Sequence, residues 1–334
     1  MKHISVPDKD HWYARMQRAT HYGDIPWSLL VNITSILVLV LILAIGWMLW
    51  QQSADARAKL GWGFILPTAN ADWNPGQDVF QAWPFIYGTL MTSVVAIVLA
   101  VPISLGISVF LAELCPEKLR LPLNWMIELL AAIPSVVYGL WGIFVFLPQV
   151  VVPFGTALFA AFGQLPLIGW FFTGPIPLSG SSRLAAAMIL TIMIIPTITA
   201  VTRDVLLAIP PSQREASMGL GATRWETISQ ILLPYGVSGI LGAVILGLGR
   251  ALGETMAVTM VIGNSLEGSG SLLKPGYTMA SLLANEFGEA VSALHTEAMI
   301  EIGLTLFVIT LVLSLVARLL VWQVARRTPQ EART

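Results

Sequence analysis

Two charged residues, Arg250 and Glu254, interrupt an otherwise apolar stretch in the second half of the chain. The stretch reads GLGRALGETMAVTMVIGN from Gly247. If its helix starts near Pro234, Arg250 follows 16 residues later, about 24 Å along the axis and at membrane depth. An arginine there costs ~2.5–3.5 kcal/mol on insertion scales, so it must face a cavity or a partner. Glu254 follows at i+4, on the same helix face, where it can reach Arg250.

The pair admits two interpretations. In the first, Arg250 and Glu254 neutralise each other and hold helices together. In the second, the guanidinium lines a translocation path and offers an oxyanion two parallel N–H donors, while Glu254 orients it or pairs with a cation on a partner chain. Gly249 and Gly253 form a small-xxx-small pair, which indicates close helix packing. Close packing suits both interpretations, so spacing alone leaves them open. Ser135, Tyr138 and Thr255 are further possible lining residues, which helix packing explains equally well.

A mixed-charge segment, Glu215–Pro234, separates two apolar runs. Two capping boxes are expected in or beside it, Ser212 with Glu215 and Thr223 with Glu226, because each hydroxyl precedes a glutamate by three residues. The prolines at 210–211 end the preceding helix. The segment therefore predicts a short helix, a break at residues 219–221, and a second helix that enters the membrane at Pro234.

The spacing within this segment resembles the EAA loop of ABC importer permeases. That motif reads EAA, three residues, G, nine residues, I, one residue, LP. The matching positions are Glu215, Ala216, Ser217, Gly221, Ile231, Leu233 and Pro234. Only Ser217 departs from the motif, and it is still small. The resemblance implies that these residues form a coupling loop that docks into a cytoplasmic ATPase subunit.

Composition identifies the class of protein. The chain has 334 residues, of which 56% are hydrophobic and 11% charged, against about 25% charged in soluble domains. A soluble protein of this size could not bury so much apolar surface, so we expect an all-α integral membrane protein. The net charge of −1 gives no basic field for nucleic acid. Cys115 is the only cysteine, which excludes an intrachain disulfide and a multi-cysteine metal site.

Stretches without charge predict six transmembrane helices, since one crossing needs about 20 residues. The expected organisation is an N-terminal arm at 1–26, a first span at 27–50, a periplasmic loop at 51–82, a permease core at 83–322 with a cytoplasmic coupling loop at 203–234, and a tail at 323–334. The third span is expected from about Asn124 to Phe146. Residues 147–182 are interpreted as a non-spanning loop with an interfacial helix around 156–172, and a seventh span is the competing interpretation.

The distribution of lysine and arginine predicts the orientation. With the N-terminus inside, 13 of the 18 basic residues are cytoplasmic and Arg250 lies in the membrane. The four on the other side are Arg57, Lys59, Arg183 and Lys274. This arrangement places both termini and the coupling loop in the cytoplasm.

Catalysis within the chain is not expected. None of its five lysines precedes serine or threonine, so the phosphate-binding GK[ST] loop of an ATPase is absent. The sequence also has no HExxH zinc motif and no GxSxG nucleophile elbow. We therefore predict no catalytic residue, no metal site and no cofactor in this chain. Glu297 and Glu301 are interpreted as favourable charges at a helix N-terminus.

Three longer motifs resemble the PstC-type permeases of phosphate ABC importers, over about residues 83–322. They are ELLAAIPSVVYGLWGIFVF at 128–146, MIIPTITAVTRDV at 193–205 and LGLGRALGETMAVTMVIGN at 246–264, followed by LLANEF at 282–287. The resemblance implies a type I (MetI-like) permease in the bacterial cytoplasmic membrane, with Arg250 and Glu254 along the path of inorganic phosphate. It also implies a second homologous permease subunit, two ATPase subunits that hold ATP and Mg²⁺, and an external phosphate-binding protein.

The sequence leaves three alternative functions open. A permease for another oxyanion, such as molybdate or sulfate, would use the same guanidinium fork. A membrane component of a phosphate-sensing complex would use the coupling loop for regulation. A proton-coupled carrier would need no ATPase, so uptake that survives loss of the ATPase would favour it.

Overall fold

The computed structural model describes residues 24–67, 73–166, 168–266 and 270–327. Most of the predicted N-terminal arm and residues 328–334 of the tail lie outside these ranges. The chain divides into two compact units, Met1–Gln52 and Ser53–Thr334. In the described ranges both units are built from helices, without named strands.

The described ranges contain thirteen α-helices, of which only the first, a long one, belongs to the first unit. In chain order the α-helices are α1 Asp24–Gln52, α2 Ala54–Leu60, α3 Trp83–Val109, α4 Glu117–Ala132, α5 Ser135–Trp141, α6 Val152–Phe162, α7 Arg183–Leu207, α8 Pro211–Gly219, α9 Arg224–Glu226, α10 Leu233–Gly253, α11 Met256–Val261, α12 Met279–Glu286 and α13 Ala293–Arg327. Helix α1 has 29 residues, about 44 Å at 1.5 Å per residue, enough to cross a hydrocarbon core of about 30 Å.

Three π-helical segments lengthen helices of the second unit. Phe110–Leu114 continues α3, Gly142–Val151 joins α5 to α6, and Thr227–Leu232 joins α9 to α10. With these joins, six helices of the described ranges are long and apolar enough to cross a membrane: Pro26–Gln52, Trp83–Leu114, Ser135–Phe162, Arg183–Leu207, Arg224–Gly253 and Ala293–Gln323. The predicted count of six spans is confirmed.

Helix α7 is the centre of the second unit. About two thirds of its most apolar window is buried, more than in any other candidate span. Ala185, Ala186 and Ala187 are completely buried, and small residues of this kind allow neighbouring helix backbones to approach closely. Ile189 and Ile194 follow in the same core, which α3, α10, α11 and the α5–α6 helix complete.

The predicted third span is wrong in its position. Helix α4 ends at Ala132, Ile133 and Pro134 have extended backbone, and the span starts only at Ser135. A proline disfavours helical backbone at the preceding residue, and here Ile133 has left the helical region, so α4 ends before Pro134. The expected loop at 147–182 is shortened accordingly, because the spanning helix continues to Phe162.

The interfacial helix expected around 156–172 is also wrong. Residues 156–162 belong to the spanning helix, and the only helical turn of the described loop after it is Gly169–Phe172. A second core cluster lies at the end of the unit away from α8. It joins Phe64, Trp73 and Phe80 to α12 and to the first turns of α13.

Candidate translocation path and coupling surface

Arg250 lies in the last turn of α10 and is partly buried. Its Nη1 donates a hydrogen bond to Oγ1 of Thr197, at 3.1 Å. Thr197 belongs to the central helix α7 and directly follows Pro196. This bond is the one that Arg250 makes among the described residues, so most of its five N–H donors are free for another ligand.

Glu254 does not share a helix face with Arg250, and the expected i+4 contact is wrong. Helix α10 ends at Gly253, and Glu254 has extended backbone with φ −71° and ψ 123°. Its Oε1 accepts a hydrogen bond of 3.3 Å from the amide of Ala257, in the first turn of α11. The described residues form no Arg250–Glu254 ion pair. Glycine is a poor helix former, and Gly247, Gly249 and Gly253 weaken this turn.

The break at 254–255 directly follows the fifth candidate span, Arg224–Gly253, and brings the end of α10 next to the start of α11. Non-helical backbone within a membrane is tolerated only where it is buried in protein or lines a water-filled cavity. Thr255 uses its hydroxyl locally, since Oγ1 donates to the carbonyl of Gly253 at 3.3 Å. Arg250 therefore lies before the break and Glu254 within it, and the two side chains bond different partners.

Helix α5 packs directly against α11 behind this break. A Cβ built on Gly139 would lie 2.5 Å from Sδ of Met260 and 3.3 Å from Cα of Ala257, so glycine at this position allows α5 and α11 to approach closely. Tyr138 is buried, and its hydroxyl donates to the carbonyl of Leu130 at 2.9 Å. That bond ties the end of α4 to α5, so Tyr138 is a packing residue in this structure.

The small-xxx-small pair does not pack within this chain. A Cβ added at Gly249 or Gly253 would meet no described atom within 4 Å, and the same is true of Gly242. These glycines and the exposed Leu246 follow one face of α10. The expected close packing is absent from the described part of the chain, and this face is open.

The coupling segment has one of its two predicted capping boxes. Oγ1 of Thr223 accepts from the amide of Glu226 at 3.2 Å, and the glutamate accepts from the amide of Thr223 at 2.7 Å. The Ser212–Glu215 box is wrong, because α8 starts at Pro211 and Ser212 already lies inside it. Proline suits the first helical position, since its missing N–H has no partner there in any case.

The two helices of the coupling segment meet at a tight corner. Gly221 has φ +90°, a left-handed conformation that favours glycine. Oγ of Ser217 lies 3.0 Å from Oγ1 of Thr227, so the serine that departs from the EAA pattern bonds α8 to the following helix. Leu220 and Trp225 are 91% and 70% exposed at this corner. An apolar, rigid projection of this kind is typical of a docking surface.

Sequence reasoning missed an ion pair that anchors α8. Nε and Nη2 of Arg214 bond the carboxylate of Glu113 at 2.8–3.2 Å, and the two side chains are only 18% and 15% exposed. Arg214 also donates to the carbonyls of Leu206 and Ile209, at the end of α7. One residue thus joins α8 to the ends of α3 and α7. The feature of the sequence that pointed to this ion pair was the position of Glu113 at the end of a long run of uncharged residues.

Two solved ABC importers share the fold of this chain. An alginate-importing bacterial ABC transporter matches 93% of this chain and all of its own, with a TM-score of 0.59 and 16% identity. The inward-facing MetNI methionine transporter matches 72% of this chain and 94% of its own, with a TM-score of 0.52 and 19% identity. At such identities the likeness concerns the fold, and it confirms the predicted fold class.

Sequence comparison identifies the family. The profile of the binding-protein-dependent transport system inner membrane components matches residues 104–328, and the chain belongs to this family. The phosphate transport system permease protein PstC of Mesorhizobium japonicum is 44% identical over 294 residues, 88% of each chain. PstC of Pasteurella multocida is 45% identical over 293 residues, 88% of this chain and 90% of its own. The predicted resemblance is confirmed.

Proposed function

We propose that this chain is the transmembrane permease subunit of an ATP-driven importer that carries inorganic phosphate into the cytoplasm. The observation that carries the proposal is the guanidinium of Arg250, which lies one turn before the break between α10 and α11 and keeps most of its N–H donors free. A guanidinium presents planar, paired donors that match two oxygens of one phosphate. The relatives named phosphate transport permeases favour phosphate over other oxyanions.

We propose a different role for Glu254 than for Arg250, because the two side chains bond different partners. Its carboxylate bonds the first turn of α11, so it does not neutralise Arg250 within this chain. We assign Arg250 to direct contact with the anion. Glu254 fixes the start of α11 at the edge of the path, where its remaining oxygen can pair with a cation on a partner chain.

Partner chains supply the energy. In this proposal, two cytoplasmic ATPase subunits hold ATP and Mg²⁺ and bind the exposed corner around Leu220 and Trp225. Closure of the ATPase dimer moves α8, and the contacts of Arg214 pass that movement to α3 and α7. The chain itself catalyses no reaction. A second homologous permease covers the open glycine face of α10, and an external binding protein delivers phosphate.

The proposed location is the bacterial cytoplasmic membrane, with both termini inside. The asymmetry of lysine and arginine supports this orientation. It also places the exposed corner at 220–225 on the side where ATP is available.

The test is uptake of labelled phosphate in cells that lack their own phosphate importers. They carry this chain with its cognate subunits, either intact or with Arg250→Ala or Arg250→Lys, at matched membrane levels. We expect Arg250→Ala to abolish uptake and Arg250→Lys to lower it at least about tenfold, because lysine keeps the charge and loses the paired donors. Assembly with the ATPase should persist in both variants.

Unchanged uptake with Arg250→Ala would reduce Arg250 to a structural residue bonded to Thr197. If the intact complex takes up molybdate or sulfate and ignores phosphate, the proposed substrate is wrong. Transport-dead variants that still regulate phosphate-responsive genes would separate a sensing role from transport.

A further inference from the structure

A cavity of about 720 Å³ lies beside the first turn of α13. Its polar lining consists of Tyr277, Asn285, Glu286, Glu289, Ser292 and His295. Phe85, at the start of α3, packs on Tyr277 of the cavity, whereas Glu113, in the π-helical end of the same helix, pairs with Arg214 of the coupling segment. The two features therefore lie at opposite ends of the second unit. None of the cavity's lining residues belongs to the path or to the coupling segment.

Two side-chain atoms face each other beside this cavity without a hydrogen bond between them. Nε2 of His295 lies 3.8 Å from Oε2 of Glu286, too far for a hydrogen bond. His295 is only 5% exposed, and its Nε2 has no hydrogen-bond partner. Oε2 of Glu286 accepts from Nε1 of Trp73 at 2.7 Å. An N–H donor group between the two atoms would bond Oε2, and would also bond Nε2 in the tautomer that carries its proton on Nδ1.

The imidazole is held in this orientation by its neighbours. Its ring stacks on Phe80, with centroids 5.3 Å apart and planes at 18°, and the edge of Trp73 packs against it. A buried acceptor without a partner costs about 1–3 kcal/mol. A rigid ring that keeps such an atom directed at a carboxylate is therefore prepared for a ligand that supplies the missing donor.

The charge of the cavity selects a cation. Among the described residues, Glu286 and Glu289 line it and no lysine or arginine does. Glu289 is exposed and has no hydrogen bond or ion pair in the described part of the chain. Val291, which is 96% exposed, and Pro75 add apolar surface at the rim. A cationic head on an apolar stem satisfies both kinds of surface.

The size of the cavity excludes a bare ion as the best fit. Cavities of about 300–1,000 Å³ hold ligands of many atoms. The described residues also contain no group of three metal-ligating side chains. A long side chain fits both the volume and the chemistry.

We propose that this cavity receives a lysine or arginine side chain of the external protein that delivers the anion. The cationic head bonds Glu286 and packs against His295, and Glu289 attracts it during approach. This assignment rests on the proposed function, since it presumes an external delivery protein. Burial raises the pKa of Glu286, and a cation at this point stabilises its ionised form.

The test measures binding of the cognate phosphate-binding protein to the assembled importer in lipid nanodiscs. The variants are Glu289→Lys, which reverses an exposed charge at the rim, and His295→Phe, which keeps the ring stacking and removes the acceptor. Asp55→Lys is the control, because Asp55 is exposed on α2 and does not line the cavity. We expect Glu289→Lys and His295→Phe to weaken binding at least about tenfold, and Asp55→Lys by less than about twofold.

A reciprocal substitution identifies the partner residue. Binding lost with Glu289→Lys should return when one basic residue on the binding protein is changed to glutamate. Equal affinity of the intact and Glu289→Lys complexes would overturn the proposal, and so would failure of every basic residue of the binding protein to restore binding. Melting temperatures of the complexes show whether His295→Phe acts through binding or through folding.

Two measurements on the same purified complex distinguish failure of the docking proposal from failure of the proposed function. Phosphate uptake by proteoliposomes with the intact complex tests the substrate and does not depend on the outcome of the docking measurement. Loss of docking with normal substrate preference supports the cavity assignment. If spermidine stabilises the intact complex while the binding protein ignores Glu289→Lys, the cavity binds a small polyamine instead.

Discussion

At the scale of single residues, charge alone does not define the role of a buried ionisable group. Arg250 and Glu254 are four positions apart, yet one bonds Thr197 on α7 and the other bonds an amide at the start of α11. The termination of α10 at Gly253 separates them. Arg250 therefore keeps free donors, which an i+4 partner would have occupied.

Glu286 yields a prediction about pH. Burial raises its pKa above the ordinary value of 4.5; the bond from Trp73 and the charge of His295 lower it, and Glu289 raises it. The folded state thus favours the neutral carboxyl. The stability from this preference is complete below about pH 4 and is lost as pH rises through the folded-state pKa. We expect the melting temperature of the intact protein, relative to Glu286→Gln, to fall as pH rises from about 4 towards 7.

The measurement is thermal unfolding in detergent at matched ionic strength. Asp55→Asn is the control, because Asp55 is exposed on α2 and does not line the cavity. A difference that grows as pH rises would show that the ionised form of Glu286 is the one that folding stabilises.

At the scale of helices, proline and glycine account for both the successes and the errors of sequence reasoning. The prolines at 210–211 correctly predict the end of α7, and Thr223 correctly predicts the start of α9. Pro134 was expected inside a span, but it ends α4, because its effect falls on the preceding residue.

No pattern in the sequence indicates which residues far apart along the chain bond each other. Thr197 and Arg250 are 53 positions apart, and Glu113 and Arg214 are 101 apart. No periodicity connects such positions, so a single sequence predicts the charged residue and not its neighbour. The apolar spans were predictable, because their composition alone determines that they enter the membrane.

The Glu113–Arg214 ion pair predicts a coupling defect. Glu113→Gln leaves Arg214 without its counter-charge, and breaking such a sheltered pair costs on the order of 3 kcal/mol. We expect faster amide exchange throughout α8 and a loss of phosphate uptake, while the protein remains in the membrane. Hydrogen exchange read by mass spectrometry, together with uptake, checks this prediction.

The matched control is Glu128→Gln. Glu128 lies 3.7 Å from Arg203 but is 59% exposed, and exposed pairs contribute only about 0–1 kcal/mol. It should leave amide exchange in α8 unchanged. Equal effects of the two substitutions would mean that the sheltered pair has no special part in holding α8.

At the scale of the whole molecule, the two ends of the second unit carry different chemistry. One end presents the apolar corner of Leu220 and Trp225, and the other presents an acidic cavity. Such surfaces suit different partners, one through hydrophobic burial and the other through charge.

Thiol labelling tests the orientation of these ends. Cys115 is buried, so it contributes little background. Leu220→Cys and Val291→Cys place thiols at positions that are 91% and 96% exposed. We expect a membrane-impermeant maleimide to label Val291→Cys in intact spheroplasts and Leu220→Cys only after lysis. Labelling of Leu220→Cys before lysis would reverse the proposed topology.

The π-helical segment at Thr227–Leu232 has a consequence for how this chain can change in length. A π turn accommodates one residue more than an α turn. A one-residue deletion here can be absorbed by conversion of the π turn to α-helix, without altering the direction in which Arg250 points. The same deletion within α10 would rotate Arg250 by about 100° around the helix axis. Natural insertions and deletions between the coupling segment and the path should therefore concentrate in these six residues.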